Sequence, residues 1–433
     1  MENLGYAAIL GQVVQQFVPV WIALVVTFLV SISFKRKLGL YGKLFDSPVG
    51  MIGFGIVMFW VFTAIFANQI ITFDPLAQFS GMKNKPLGTA LANAEDGQFG
   101  WFLLGGDHLA RDVFSRMVMG AREVLKIAPA ATLFAFMVGI TIGVPAGYFG
   151  GWLDTVLSFL ANLVLAFPVI LLFYLLVTPE IRETGIPVVL AALLFLFPII
   201  FLCVLFNARF FTDPPKRNLY VGIVLVIGLW AYSGLAFNMD PLNDVVSWVW
   251  FSVGGQETVV SGGVAALDAA VGAEIDSTKQ VTRPLLFDDV WSMSPNMLNV
   301  FVSVVFVNAP TVFRIVRGIV MDLKARDYVA AGQTRGEGPW YIMLWEILPN
   351  ARGPLIVDFC LRIGYTTILL GTLGFFGLGV APDSPDWGST IDDGRKTLTL
   401  FPHAALAPAL ALMSLVLGLN LLAAGLREAS LGA

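Results

Sequence analysis

Nine stretches of this sequence, near residues 17–34, 48–73, 127–149, 153–178, 187–206, 218–239, 296–316, 352–376 and 402–425, are strongly apolar. A hydrocarbon core of about 30 Å is crossed by roughly 17 to 25 apolar residues of helix, so each stretch is expected to span a membrane. The composition agrees, with 57% hydrophobic residues, only 13% charged and a mean hydropathy of +0.80. A soluble domain is nearer a quarter charged. This chain has too little polar surface to cover several soluble domains, and an all-α polytopic membrane protein is expected.

Charge sets the direction of threading. Met1 to Gln16 holds no Lys or Arg, whereas a signal peptide carries its positive charge before the apolar run. The charge follows instead, in Lys35, Arg36, Lys37 and Lys43. The positive-inside rule then puts the N-terminus outside and residues 35–46 in the cytoplasm. Alternation puts 150–152, 207–217, 317–351 and the C-terminus inside as well. Arg209, Lys216 and Arg217 agree, as do Arg317, Lys324, Arg326, Arg335 and Arg427, while the Gly150-Gly151 turn carries no charge. Two outside segments, 74–126 and 240–295, are long enough to fold. The second carries Gly254-Gly255, Gly262-Gly263 and a scatter of acidic residues from Asp268 to Asp289.

Several functions are excluded. A net charge of −4 leaves no basic footprint for nucleic acid. Cys203 and Cys360 lie in separate apolar runs without a CxxC, and His108 and His403 are the only histidines, so no metal site is expected. No G-x-x-x-x-G-K-[ST] phosphate loop occurs, so the chain does not bind ATP by that route. No Ser, His and Asp residues gather into a nucleophile constellation, and no catalytic residue is assigned.

Residues 317–351 are too polar to span and too patterned for a linker. Asp327-Tyr328-Val329-Ala330-Ala331 predicts a short helix, Gly332 and Gly336 a sharp turn or a close approach, and Trp340 to Leu344 a second short helix with Pro349 at the start of the next span. Such a knob suits a groove in another protein; a loop resting on lipid headgroups is the alternative.

The loop resembles the EAA signature of binding-protein-dependent ABC importer permeases, in the form of the dipeptide/oligopeptide/nickel family. Asp327, Tyr328, Val329, Ala331, Gly336, Leu348, Pro349 and Asn350 match it; Ala330 stands for the signature Glu and Gly332 for its second Ala. Three more blocks resemble the same family. Gly105 to Arg116 is similar to G-T-D-x-L-G-R-D-V-F-S-R, with Gly106 for Thr and Ala110 for Gly; Ala146 to Asp154 is similar to the turn between the second and third helices; Phe375 to Gly379 with Pro385-Asp386-Trp387-Gly388 is similar to the stretch before the last helix. The order matches the second (C-type) permease subunit.

The resemblance implies a type I importer transmembrane domain with a six-helix core plus about three extra helices. On this reading 1–46 is an added helix with a basic cytoplasmic loop, and 47–126 the first core helix with an extracytoplasmic segment. Residues 127–425 form the transmembrane domain, interrupted by an inserted helix pair and outside segment at about 180–295, and 426–433 a cytoplasmic tail. It implies half of a translocation pathway for di- or oligopeptides in a bacterial inner membrane. The implied partners are a sister permease, cytoplasmic ATPase subunits that bind ATP and Mg, and an extracytoplasmic solute-binding protein. Asp327, Tyr328, Ala330, Ala331, Gly332, Gly336, Leu348 and Pro349 would form the ATPase-coupling loop. A permease for nickel or another small solute, or an ion-gradient-driven transporter, are the alternatives; the latter should show internal repeats with acidic residues near midplane, and no such repeat is seen.

Two charged groups stand outside that loop. Asp107, Arg111 and Asp112 are read either as a solvated, self-paired segment or as support for an extracytoplasmic gate. Asp358 and Arg362, four apart within the eighth stretch, share a helix face. They are expected to form a structural intramembrane pair, with a place on the substrate path as the alternative.

Overall fold

The computed structural model describes residues 3–37, 39–91, 99–178, 181, 184–237, 295–378 and 384–431. The described residues of each of the nine apolar stretches fall mainly on helix. Among the described residues, six helices are long and apolar enough to cross a membrane, and two bent pairs raise that to as many as eight. The acidic residues from Asp268 to Asp289 lie outside the described residues, as does nearly all of the 240–295 segment.

Four helices differ from their expected form. The first span is preceded by an uncharged helix, Tyr6–Gln16, bent 56° from Val18–Ser33. The span expected at 127 begins at Val113, making a helix of 37 residues, Val113–Phe149. Its first turns carry Arg116, Arg122, Glu123 and Lys126, which depress hydropathy without breaking the helix. The span expected at 153–178 breaks into Gly151–Leu165 and Val169–Val177, bent 81° before Pro168, since a residue preceding proline avoids helical geometry. The start of the eighth span is the largest correction. Pro349 does not open a new helix: Pro339–Phe375 is one continuous 37-residue helix containing a π turn, Ile342–Ile347.

The chain forms two compact units, one of Met1–Thr132 with Arg352–Ala433 and one of Leu133–Ala351. In the first, Pro48–Ile65 lies against His403–Leu431 along most of its length. Gly53 and Gly425 allow this approach, because a Cβ at Gly53 would strike the Leu422 backbone and one at Gly425 would strike Gly50. Without a hydrophobic force between helices in lipid, such backbone proximity is a main source of packing energy. Trp60, Trp387, Ala411 and Leu415 anchor the buried cluster there, the two indoles edge to face at 5.1 Å.

In the second unit, Gly139, Gly143 and Gly147 form a groove at four-residue spacing on Val113–Phe149. Val312, Val316 and Val320 of Pro295–Leu323 press into it. The inserted pair Leu196–Arg209 and Pro214–Phe237 pack along each other in this unit. Gly150 and Gly151 both take positive φ, +67° and +64°, which makes the tight turn that their sequence implies.

Candidate functional site

The loop expected to carry function forms a helix, Asp327–Thr334, followed by a turn into the helix starting at Pro339. Its end is set by backbone geometry. Gly336 takes φ +78°, its N–H donates to Gln333 O (3.0 Å), and Glu337 N–H donates to Gly332 O (3.2 Å). That is a Schellman closure, and its left-handed residue favours glycine. Gly332 is not a turn residue; it is buried within the helix with Val329, where Ile342 packs against it.

The opposite face is open. Ala330, Ala331, Gln333, Thr334, Arg335 and Gly336 are exposed, and Asp327 sits in the first helical turn, where a carboxylate meets the positive end of the helix dipole. Tyr328 is half-buried, and that burial pushes its hydroxyl up from the usual tyrosine range. Leu348 is half-buried and Pro349 exposed.

The turn 146–154 supports the base of this loop. Lys324 Nζ donates to Gly147 O (3.2 Å) and Tyr148 O (3.3 Å), closing the last carbonyls of Val113–Phe149. Gln333 Nε2 donates to Tyr148 Oη at 3.3 Å, Phe149 lies edge-on to Trp340, and Arg317 Nη2 donates to Asp154 Oδ2 at 2.6 Å. Two of the four blocks that resemble the family therefore meet in one place.

The other two blocks meet in the first unit, and the group around Asp107 is no solvated segment. Asp107, Arg111 and Asp112 are 2%, 3% and 0% exposed. Asp107 Oδ1 accepts from the N–H groups of Leu109 (2.8 Å) and Arg111 (2.9 Å), and Oδ2 accepts from Arg111 Nε (2.7 Å). Arg111 Nη2 reaches Asp393 Oδ2 at 2.8 Å, and His108 lies 3.8 Å from the same carboxylate. Arg116, 1% exposed, lies 4.0 Å from both Asp107 and Asp393 and donates from Nη2 to Thr390 Oγ1 at 3.1 Å. Trp387 Nε1 donates to Met117 O at 2.8 Å.

Asp112 stands apart from those ion pairs. Its Oδ2 accepts from Ser115 N–H (2.9 Å), Ser115 Oγ (2.6 Å) and Thr72 Oγ1 (3.0 Å), at the start of Val113–Phe149. Burial pushes its carboxyl up to about 6. Asp386, whose Oδ1 accepts from Ser389 N–H, is also pushed up by burial. Ala110, where the family pattern has Gly, keeps the left-handed turn at φ +62°.

Asp393, Arg116 and Asp386 were not singled out as site residues from sequence. Arg116 and Asp386 lie inside quoted motifs, whereas Asp393 has no local signal. Asp358 and Arg362 do pair as expected, Nε to Oδ2 at 2.8 Å, with the Arg362 side chain 8% and the Asp358 side chain 18% exposed.

The family described as binding-protein-dependent transport system inner membrane component matches residues 246–429. The chain is 26% identical over 326 residues to the glutathione transport system permease protein of Pectobacterium atrosepticum, covering 75% of this chain and 71% of that protein. It is 23% identical over 389 residues to the dipeptide transport system permease protein of Alkalihalophilus pseudofirmus, covering 90% and 87%. Converging motifs, helical architecture and relatives agree. These motifs, helices and relatives are those of ABC importer permeases of the dipeptide/oligopeptide family, to which the chain is similar. Its all-α, multi-span architecture is that of a type I importer transmembrane domain, and it is a transport permease of the inner membrane.

Proposed function

We propose that this permease forms half of a translocation pathway for short peptides, glutathione-like tripeptides included, delivered by an extracytoplasmic binding protein. A sister permease supplies the other half, and cytoplasmic subunits binding ATP and Mg drive the cycle. The names of the relatives support the substrate class. The loop 327–349 carries the rest of the reading: a rigid, small-residue helix, buried on one side and open on the other, is shaped to enter a partner's groove. Asp327, Tyr328, Ala330, Ala331, Gly332, Gly336, Leu348 and Pro349 are its members. The N-terminus lies outside and the C-terminus inside. The cluster of Asp107 and Arg111, with Asp112 beside it, braces the extracytoplasmic gate.

Cross-linking tests the docking. With Cys203 and Cys360 replaced by Ser, Thr334→Cys should cross-link to a cysteine in the groove of the ATP-binding subunit, and the linked complex should stop transporting. An assembled, transporting complex that never yields that link would remove the loop from the interface.

A further inference from the structure

The inserted helix pair, which the six-helix core does not require, touches the segment proposed to couple to the ATPase. Where its two helices meet, Phe206, Phe210 and Tyr220 stack nearly parallel, with Phe210 and Tyr220 centroids 4.9 Å apart. Beside that stack, exposed Arg209 ends the helix Leu196–Arg209 and lays its guanidinium over the Trp345 ring, 4.6 Å from the centroid. The same helix packs against Pro339–Tyr341 and the π turn.

Trp345 is engaged through its face. Its Nε1 is buried with no acceptor among the described residues, and an indole face is the best aromatic partner for a cation. The next residue, Glu346, takes Arg335 of the loop, Oε1 to Nη2 at 2.7 Å. Consecutive residues of the π turn are thus held by arginines from two elements, the loop and the inserted pair. A π turn departs from regular helical bonding and often sits where a helix changes function. Pro349 just beyond it removes another backbone donor. This turn is the joint between the exposed loop and the helix that follows.

We propose that the inserted pair is a brace on this joint. Arg209 is a positioning residue that holds the π turn through Trp345, so that a displacement of the loop passes into the following helix instead of dissipating in the turn. The brace rests on the coupling reading of residues 327–349, but one arm of its test does not.

That arm is amide hydrogen exchange over residues 339–348 in the purified transporter. Losing a cation–aromatic contact of this kind should open the turn about two- to fivefold more often. Arg209→Ala should therefore speed exchange by that factor, and Arg209→Lys should fall between it and the native chain. In a Trp345→Leu background, Arg209→Ala should add nothing. Unchanged exchange in Arg209→Ala, or full additivity with Trp345→Leu, overturns the brace whatever the loop does. The second arm is solute moved per ATP hydrolysed in proteoliposomes. Arg209→Ala should lower that ratio while the complex still assembles and hydrolyses ATP. Faster exchange with an unchanged ratio overturns the transmission role and leaves the coupling reading to its own test.

Discussion

The charged segment 105–116 and the loop 327–349 look alike in sequence, each a polar, motif-bearing stretch beside a spanning helix, yet the protein treats them in opposite ways. The first is drawn inward until Asp107, Arg111 and Arg116 are all but sealed from solvent. The second keeps only Val329, Gly332 and the π turn covered and holds Ala330, Ala331 and Gly336 out. Their left-handed residues show the same contrast. Ala110 is held at φ +62° in a segment where Phe79 N–H donates to its carbonyl and its own N–H donates to Asp107 O. Gly336 at φ +78° has open space around its Cβ position. Buried charge pairs fix one region; a glycine-closed helix end, with ion pairs such as Arg335–Glu346 at its edge, shapes the other and leaves one face open.

The comparison breaks most severely at Asp107. Removing one partner of a buried charge network leaves the rest uncompensated, at a cost of about 3–5 kcal/mol. Asp107→Ala, which takes one carboxylate from both Arg111 and Arg116, should lower the detergent unfolding midpoint sharply and the yield with it. Thr334→Ala on the loop should leave both unchanged.

Asp112 gives a smaller effect with a pH signature. Burial raises its carboxyl from 3.8 to about 6, against the pull of Ser115 and Thr72. The folded chain therefore binds that proton more tightly than the unfolded chain. Stability from this group is greatest below about pH 4 and is lost as pH rises through 6, of the order of 3 kcal/mol in all. Asp112→Asn should flatten the pH dependence of the unfolding midpoint across that window; a slope identical to the native one would contradict the assignment.

Asp358 and Arg362 sharpen the contrast at the smallest scale. They satisfy each other along one helix face, so replacing both by Leu should be nearly neutral for stability, and uptake should survive. Asp358→Leu alone should be worse than the double change, because Arg362 would stay buried and unpaired. An assembled, ATP-hydrolysing double variant without uptake would move the pair onto the substrate path.

What sequence conveyed depended on the range of the interaction. The nine helical stretches, the Gly150-Gly151 turn, the left-handed Gly336 and the Asp358–Arg362 pair all rest on spacing within a few residues. Burial of Asp107 depends on Asp393, far along the chain, and no local pattern marks that partner. The early start of Val113–Phe149 was hidden because hydropathy reports lipid contact, whereas Arg116 and its neighbours are helical within protein. The π turn and the grip of Arg209 on Trp345 join separate elements and leave no periodic trace.

In the proposed coupling role, the exposed loop transmits ATP hydrolysis and needs Gly336 for its backbone and its lack of side chain. Gly336→Asn tolerates the left-handed conformation that Gly336→Val does not, the strain in the latter being about 1–3 kcal/mol. Both variants should insert and assemble, since the space around this Cβ is open within the chain itself. The deciding measurement is solute-stimulated ATP hydrolysis together with uptake in the reconstituted transporter. The expected result is loss of both by roughly five- to a hundredfold in Gly336→Val, the factor to which a strain of that size corresponds, and a smaller loss in Gly336→Asn. Native rates of both activities in an assembled Gly336→Val complex would contradict the account.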